Sequence, residues 1–250
     1  MKISVITTTY NSGRTVRDTI ESVLSQDYPD IEYIIIDGAS TDDTLRIVNE
    51  YADRISWIVS EPDKGIYDAM NKGIRMATGD VVGILNSDDF FASQDVVSRI
   101  ASEFAEPSLD AVYGDVRFVS PEDLSRCVRH YSSRIFRRPL MHLGFIPAHP
   151  SFYVRRVWYE RLGLYNMSYR ICADFELLLR FIYIQRINVR YLPFDFVTMR
   201  TGGVSTNGFQ CYKCIMEEHR RACRENKVYT NPFLLSLRYL YKLTEFICAY

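Results

Sequence analysis

Residues 83–91 read GILNSDDFF: a hydrophobic run from Val81 to Leu85 ends in two adjacent carboxylates, Asp88 and Asp89, followed by two phenylalanines. Like charges side by side at the mouth of a buried strand repel unless a cation lies beside them or solvent screens them. The flanking elements decide where this mouth lies. Upstream, Lys2–Thr7 is short and β-branched and predicts a buried strand, followed by helical spacing of Val16, Ile20, Val23 and Leu24 within residues 14–26. Tyr33–Ile36 predicts a second strand, and Thr41 or Asp42 is placed to cap a helix running to Ala52. Ile55–Val59, a helix over Ile66–Ala77, the strand of the opening stretch and a helix over Val96–Phe104 continue the series.

Strands alternating with helices through short loops predict a largely parallel sheet with helices on both faces, an α/β fold. In open sheets of this kind ligands bind beyond the carboxyl ends of the strands. Thr8, Tyr10 and Asn11 follow the first strand, Asp37 ends the second, and Asp88 and Asp89 follow the fourth, so the acidic pair is expected at the binding edge rather than in the core. After residue 109 the pattern loosens. Asp110–Val119 reads as one or two strands, 120–150 as an Arg-rich irregular segment, Ala173–Tyr183 as a helix and Val189–Arg200 as two strand-like runs around Pro193. Two helices are expected at the end, about Gly208–Asn226 and Asn231–Ala249.

The chain has 250 residues, 47% hydrophobic and 24% charged, enough for one large domain or one domain with an appendage. Its net charge of −1 hides a division: residues 1–125 carry 10 Lys and Arg against 23 Asp and Glu, and residues 126–250 carry 20 against 8. The halves are therefore expected to meet different partners. Six cysteines lie late and irregularly; Cys211-Tyr-Lys-Cys214 has a zinc-like first spacing with no second pair to complete it, so reduced, mostly buried thiols are expected. The start is too short in apolar residues for a signal peptide, and no run approaches the roughly 18 apolar residues of a spanning helix, so a cytoplasmic protein is expected.

No G-x-G-x-x-G follows the first strand, and no P-loop occurs anywhere. The first loop instead offers hydroxyls and the ring of Tyr10, suited to hydrogen-bonding and stacking on a base, and Asp37 is placed to accept from a base N–H. An acidic pair repels phosphate directly. A hard divalent cation, Mn²⁺ or Mg²⁺, removes the conflict, because it binds carboxylates and bridges to phosphate oxygens.

Together, TTTYNS (7–12), IIIDGASTDDT (34–44), SEPDKGIYDAMNKGIRMATGD (60–80) and ILNSDD (84–89) resemble, in order and spacing, the family 2 inverting glycosyltransferases of the GT-A fold. AHPSFYVRR (148–156), CADFELLLR (172–180) and MRTGGVS (199–205) resemble the acceptor half of bacterial surface-polysaccharide members, so the likeness reaches to about Ser205. The resemblance implies a GT-A domain over 1–207, with a nucleotide-sugar half at 1–119 and an acceptor half at 120–207, and leaves 208–250 as a C-terminal helical extension. It implies that Thr8, Tyr10 and Asp37 hold the nucleoside, usually uridine, that Asp68 also faces the nucleotide, that Asp88 lies near the ribose and that Asp89 holds the metal. Asn86 replaces the first acid of a full Asp-x-Asp, which shifts the weight to Asp88 and Asp89. Asp174 occupies the family's general-base position, at a helix start whose dipole favours the charged form, with Glu176 as second candidate.

His149 is a candidate facing the acceptor, and Arg200 opens a loop, Arg200-Thr201-Gly202-Gly203, that is a candidate for closing over the donor. Arg126, Arg129, Arg134, Arg137 and Arg138, with His130, form a basic run that is either a solvated face or a contact for a lipid-linked diphosphate or anionic membrane. In the tail, Phe233, Leu234, Leu237, Tyr241, Leu243 and Phe246 read as a core-facing stripe, with peripheral membrane contact as the other reading. The expected activity is metal-dependent transfer of a hexose or N-acetylhexosamine from a UDP-sugar to a saccharide acceptor, lipid-linked as in capsule, O-antigen or exopolysaccharide assembly, with no nucleic-acid partner. A nucleotidyltransferase and a non-catalytic sugar-nucleotide-binding assembly subunit are the alternatives.

Overall fold

A computed structural model describes residues 1–202 and 209–242. In chain order the strands are β1 (Ile3–Thr9), β2 (Ile31–Asp37), β3 (Trp57–Ser60), β4 (Val81–Ile84), β5 (Phe90–Phe91), β6 (Ala111–Val119), β7 (Cys127–Tyr131), β8 (Phe152–Arg155) and β9 (Val189–Arg200). The helices are α1 (Val16–Leu24), α2 (Thr44–Asn49), α3 (Ile66–Met76), α4 (Val96–Glu103), α5 (Val157–Leu162), α6 (Ala173–Leu178), α7 (Phe209–Glu225) and α8 (Pro232–Lys242). One sheet runs β3-β2-β1-β4-β8-β6-β9-β5, with β7 hooked onto β6. The first four strands in this order are mutually parallel, as expected, and β8 joins antiparallel to both β4 and β6.

The period-2 alternation of the strands explains the layers. Ile3, Val5, Tyr33, Ile35, Val81 and Leu85 join one core with Val16 and Ile20 of α1, Ile47 of α2 and Val97 and Ile100 of α4. Their neighbours Ile6, Ile34, Ile36, Val82 and Ile84 join the opposite core, with Met70 and Ile74 of α3, Phe175 and Leu177 of α6 and Cys223 of α7. Each large side chain so enclosed contributes about 1.5–3 kcal/mol. Gly73 lets α3 lie close on β1: a Cβ there would come 2.4 Å from Ile6 Cγ2. The nucleotide and acceptor halves expected from the sequence thus share one sheet.

Several expectations change. The segment after residue 119 is not wholly irregular, because β7 pairs with Val116–Val119 of β6. β8 and α5 arise in the AHPSFYVRR region, where the sequence pattern predicted neither. The two runs around Pro193 form one strand, with Tyr113 opposite Tyr191 and Asp115 opposite Asp195. The intervening residues bulge, so the proline needs no N–H in the ladder. α6 passes directly into a π-helical stretch, Leu179–Ile184. In the tail, Phe233 is exposed, and among the described side chains of α8 Leu235 and Arg238 are the buried ones, so the stripe expected through Phe233 is rotated. Its continuation at Leu243 and Phe246 lies outside the described residues, as do Gly203 and Cys248. Among the described cysteines no disulfide forms; Cys172 and Cys223 are buried, whereas Cys127 and Cys214 are half-buried. No helix among the described residues is long and apolar enough to cross a membrane.

Candidate active site

The carboxyl ends of β1, β2 and β3 form a laced edge. Thr9 lies opposite Asp37, and Asp37 opposite Ser60. Asp37 is fully buried, and its carboxylate accepts from Ser40 N (3.0 Å), Ser40 Oγ (2.5 Å) and Ser60 Oγ (2.6 Å). Ser40 Oγ in turn accepts from Asn11 N (2.8 Å), and Asn11, with φ of 49°, accepts from Thr41 N through its side chain (2.9 Å). Thr8 is buried within β1, whereas Tyr10 is 63% exposed, its ring open to a planar ligand. Asp42, rather than Thr41, holds the start of α2, accepting from Thr44 N at 3.0 Å. α2 stops at Asn49, short of Ala52.

The acidic loop is tied to this edge through Ser87 Oγ and Ser12 Oγ, 2.8 Å apart, and through Thr19 Oγ1, which donates to the Asp89 carbonyl at 2.6 Å. The two acids differ. Asp88 is half-buried, but Asp89 is wholly enclosed, so only one of the pair sits at the open edge that the sequence pattern predicted for both. Asp89 receives one long contact, from Asn86 Nδ2 at 3.4 Å; its Oδ1 and the Asn86 Oδ1 are buried without a hydrogen-bond partner among the described residues. Burial, followed by the Asp88 charge, pushes the Asp89 pKa well above the carboxylate range. Burial raises Asp88 too, opposed in part by Arg200. Arg200, 9% exposed at the end of β9, donates to the Asp88 carbonyl at 2.6 Å, pairs with Asp18 of α1 and stacks over Phe90 at 5.2 Å. It therefore clamps the loop rather than swinging over it. The uncompensated oxygens of Asp89 and Asn86, with the half-exposed Asp88 beside them, fit a hard divalent cation.

A second wall faces the start of α3. Gly65, at φ +112°, turns the chain into that helix, and Asp68 in its first turn accepts from Lys64 N at 3.1 Å. Lys64, Ile66 and Asp68 line a cleft of about 310 Å³ with Met167, Ser168, Tyr169 and Arg170. Tyr67 donates to the Ile171 carbonyl and joins the two walls. Asp174 follows this turn at the head of α6, and one of its oxygens accepts from Phe175 N at 2.7 Å. Burial pushes its pKa up to about 6, against the backbone hydrogen bonds of the helix end; here burial outweighs the helix dipole.

The other candidates serve the scaffold. Glu176 is buried and gripped twice by Arg180, at 3.1 and 3.0 Å, while Arg180 also binds the carbonyls of Leu162, Gly163 (2.9 Å) and Leu164 (2.8 Å) beyond α5. His149 contacts Tyr165 Oη through Nε2 at 2.6 Å, and burial lowers its pKa to about 4, so it is neutral at physiological pH. In the Arg-rich segment Arg138 donates to the Ile187 carbonyl (3.1 Å), Arg129 lies over Phe118 and His130 pairs with Asp195 at 2.8 Å; Arg134 and Arg137 remain exposed. Asp115 joins His130 and Asp195 with ligand atoms within 4.8 Å, but it already accepts from Ser133 N (2.6 Å), Tyr191 Oη (2.8 Å) and Ser132 Oγ (3.3 Å). That knot is saturated by donors, unlike the acidic loop. Asp18, the partner of Arg200, and Glu218, whose carboxylate reaches the turn before Asp174, carried no signal in the sequence pattern.

Residues 4–163 match the family described as glycosyl transferase family 2. The chain belongs to that family. A PGL/p-HBAD biosynthesis glycosyltransferase of Mycobacterium bovis is 32% identical over 201 residues, covering 76% of this chain and 73% of that one. Chondroitin synthase of Escherichia coli is 33% identical over 182 residues, covering 71% of this chain but only 26% of the larger protein. Among solved structures, S. aureus TarS 1-349 in complex with UDP-GlcNAc superposes with a TM-score of 0.71 at 18% identity, covering 98% of this chain and 73% of that one. The mannosyltransferase PcManGT from Pyrobaculum calidifontis, in complex with GDP-Man and Mn²⁺, gives 0.68 at 22% identity, covering 99% and 73%. The fold of this family 2 glycosyltransferase is therefore GT-A.

Proposed function

We propose that this glycosyltransferase moves a hexose or N-acetylhexosamine from a UDP-sugar to a hydroxyl of a saccharide acceptor, with inversion and with Mn²⁺ or Mg²⁺. The observation that carries the reading is the presence of two unlike carboxylate sites: an acidic loop at the sheet edge whose buried oxygens lack donors, and Asp174 at the head of α6, just past the 167–170 segment that lines the α3 cleft, with a pKa near 6. In this reading Tyr10 stacks on the base, Thr8 and Asp37 hold the nucleoside edge, and Asp68 faces the nucleotide from the start of α3. Asp88, Asp89 and the Asn86 side-chain oxygen hold the cation, with Asp88 also toward the ribose. When bound, the cation stabilises charge on the departing diphosphate.

Asp174 takes the proton of the acceptor hydroxyl as its oxygen bonds to the anomeric carbon. The bond from that carbon to the diphosphate oxygen breaks, and UDP leaves with the electron pair. Glu176, neutralised by Arg180, is not available for this step. Family membership argues against the nucleotidyltransferase alternative. A lipid-linked acceptor at the inner face of a membrane is the finer reading. Its support is a surface groove of about 580 Å³ lined by Arg220, Arg221, Arg224 and Tyr229, in which the three arginines outweigh the one acid, Glu217.

The test is a panel of UDP- and GDP-sugars, scored for release of the nucleoside diphosphate with and without Mn²⁺. A UDP-sugar preference and at least 10³-fold loss in Asp174→Asn, with UDP binding intact by calorimetry, are the expected results. The rate should fall about tenfold per pH unit below about 6, where Asp174 takes up its proton, and level off above. Unchanged turnover in Asp174→Asn would remove Asp174 from the reaction, and UDP binding without turnover in the parent protein would make the chain an assembly subunit.

A further inference from the structure

The turn that carries Asp174 is gripped by the C-terminal extension. Glu218 of α7 accepts from three consecutive backbone N–H groups, Arg170 N at 2.6 Å through Oε1, and Ile171 N (2.9 Å) and Cys172 N (2.8 Å) through Oε2. Successive N–H groups converging in this way form an anion nest, and here the chain supplies its own anion. The Ile171 peptide is held from the other side by Tyr67, so the turn is pinned between the donor-side helix α3 and the extension. One residue past Glu218, the His219 ring stacks on Phe175 with centroids 3.9 Å apart, and buried Arg238 of α8 closes on His219 at 2.6 Å. Asp174 lies between these two grips.

We propose that Glu218 is a positioning residue, whose carboxylate fixes the 170–172 turn and thereby the position of Asp174 at the head of α6. This rests on the reading of Asp174 as the base. A role in fold stability alone is disfavoured by where the contacts fall. The body of α6 is anchored without Glu218, with Ala173, Phe175, Leu177 and Leu178 all fully buried. Releasing the three N–H groups therefore loosens the turn before it loosens the helix. The groups facing Asp174 come from every neighbouring element: Tyr67 from α3, Tyr165 and Cys172 from the preceding segment, Glu218 from α7 and Arg238 from α8. Removal of the Glu218 charge takes away a repulsive neighbour, so the acid limb of the rate profile moves to lower pH.

The experiment uses the full chain and four variants: Glu218→Gln, Glu218→Asp, Asp174→Asn and, as a control on an exposed acid remote from the turn, Glu122→Gln. Hydrogen exchange of the peptide covering 168–176 reads the clamp itself. UDP release from the best UDP-sugar of the panel reads its consequence. In Glu218→Gln the amides of 170–172 should exchange at least tenfold faster, kcat should fall 10- to 100-fold with the donor KM within twofold, and the acid limb should shift down. Glu218→Asp keeps the charge but draws it back, and should lose about three- to tenfold in kcat with the acid limb in place; it carries the test if the Gln variant does not fold. Glu122→Gln should match the parent. Faster exchange with kcat and acid limb unchanged overturns the proposal, as does unchanged exchange. Turnover retained in Asp174→Asn, or absent in the parent protein, overturns the base reading and this inference with it, and is told apart by those two proteins alone.

Discussion

Glu32 and Asp89 are both enclosed carboxylates at the ends of the same parallel strands, and their surroundings are opposite. At the amino edge Glu32 accepts from Ser4 Oγ (2.6 Å), Thr78 Oγ1 (2.7 Å), Thr78 N (2.8 Å) and Gly79 N (3.3 Å). Burial alone would raise its pKa, but these bonds outweigh it and hold the group below its ordinary value. At the carboxyl edge Asp89 has one long contact, a bare oxygen and a second carboxylate beside it. One acid is satisfied by the chain and serves the fold. The other has a long amide contact and the partial compensation of Arg200, which do not offset its burial and the Asp88 charge. Buried polar groups are nearly always paired in native proteins, so an unpaired one marks a place where a ligand completes the structure.

The sharpest way to break this contrast is Asp88→Ala. Asp88 is the half-exposed member of the pair, and its loss should cut turnover about 10³-fold, roughly 4 kcal/mol of transition-state stabilisation. Calorimetry should show the Mn²⁺-dependent part of UDP binding gone. If Mn²⁺ still strengthens UDP binding, the bare oxygens are not the cation's seat, and the contrast between the two edges loses its functional meaning.

Glu32→Ala probes the satisfied edge. It orphans the backbone N–H of Thr78, strips the buried Ser4 Oγ of its acceptor, leaves Gly79 N to Ser4 Oγ alone, and should cost about 3 kcal/mol of stability. For a chain of this size that is a fall of about 6–12 °C in Tm by calorimetry. Well below the transition, kcat and the donor KM should stay within twofold of the parent. A large loss of turnover in a folded Glu32→Ala protein would mean the edges are coupled through the strands, and the division of labour would fail.

Arg200→Met tests what holds the acidic loop in place when no cation does. The Met keeps part of the side-chain volume against Phe90 but releases the Asp88 carbonyl and Asp18. The donor KM should rise about tenfold, near 1.4 kcal/mol, with a smaller change in kcat. An equal loss in kcat with KM unchanged would instead place Arg200 in the chemical step.

Much of the carboxyl edge was legible because its parts are local: strand, short polar loop and helix follow one another, and the loop residues Thr8, Asp37 and Asp88 come with their strand ends. The enclosure of Asp89 was not legible, since adjacent acids in a sequence carry no sign of which one turns inward. Nor was the Arg200–Asp18 pair, whose members are 182 residues apart and meet only because β9 crosses back beside β5. The register of α8 failed for a related reason. A buried arginine, Arg238, occupies its inner face, and a reading by apolar spacing passes over it. Glu218 shows the same limit, because it looks like a surface acid until the turn it grips is in place, and the Arg180 pair that occupies Glu176 is no more visible in the sequence.

The smallest effect is also the most telling. Asp89→Asn replaces a carboxyl whose ionisation the metal-free fold opposes through burial and the Asp88 charge, and the Asn86 Oδ1 gains a nearby amide. In protein treated with chelator the substitution should therefore raise stability by about 1 kcal/mol, or about 2–4 °C in Tm, in contrast to the loss at Glu32. The same variant should lose Mn²⁺-dependent UDP binding. A gain in stability together with a loss of binding would mean that the edge keeps its repulsion for the ligand that relieves it. A loss of stability would show that Asp89 is satisfied in solution and that the two carboxylates are alike after all.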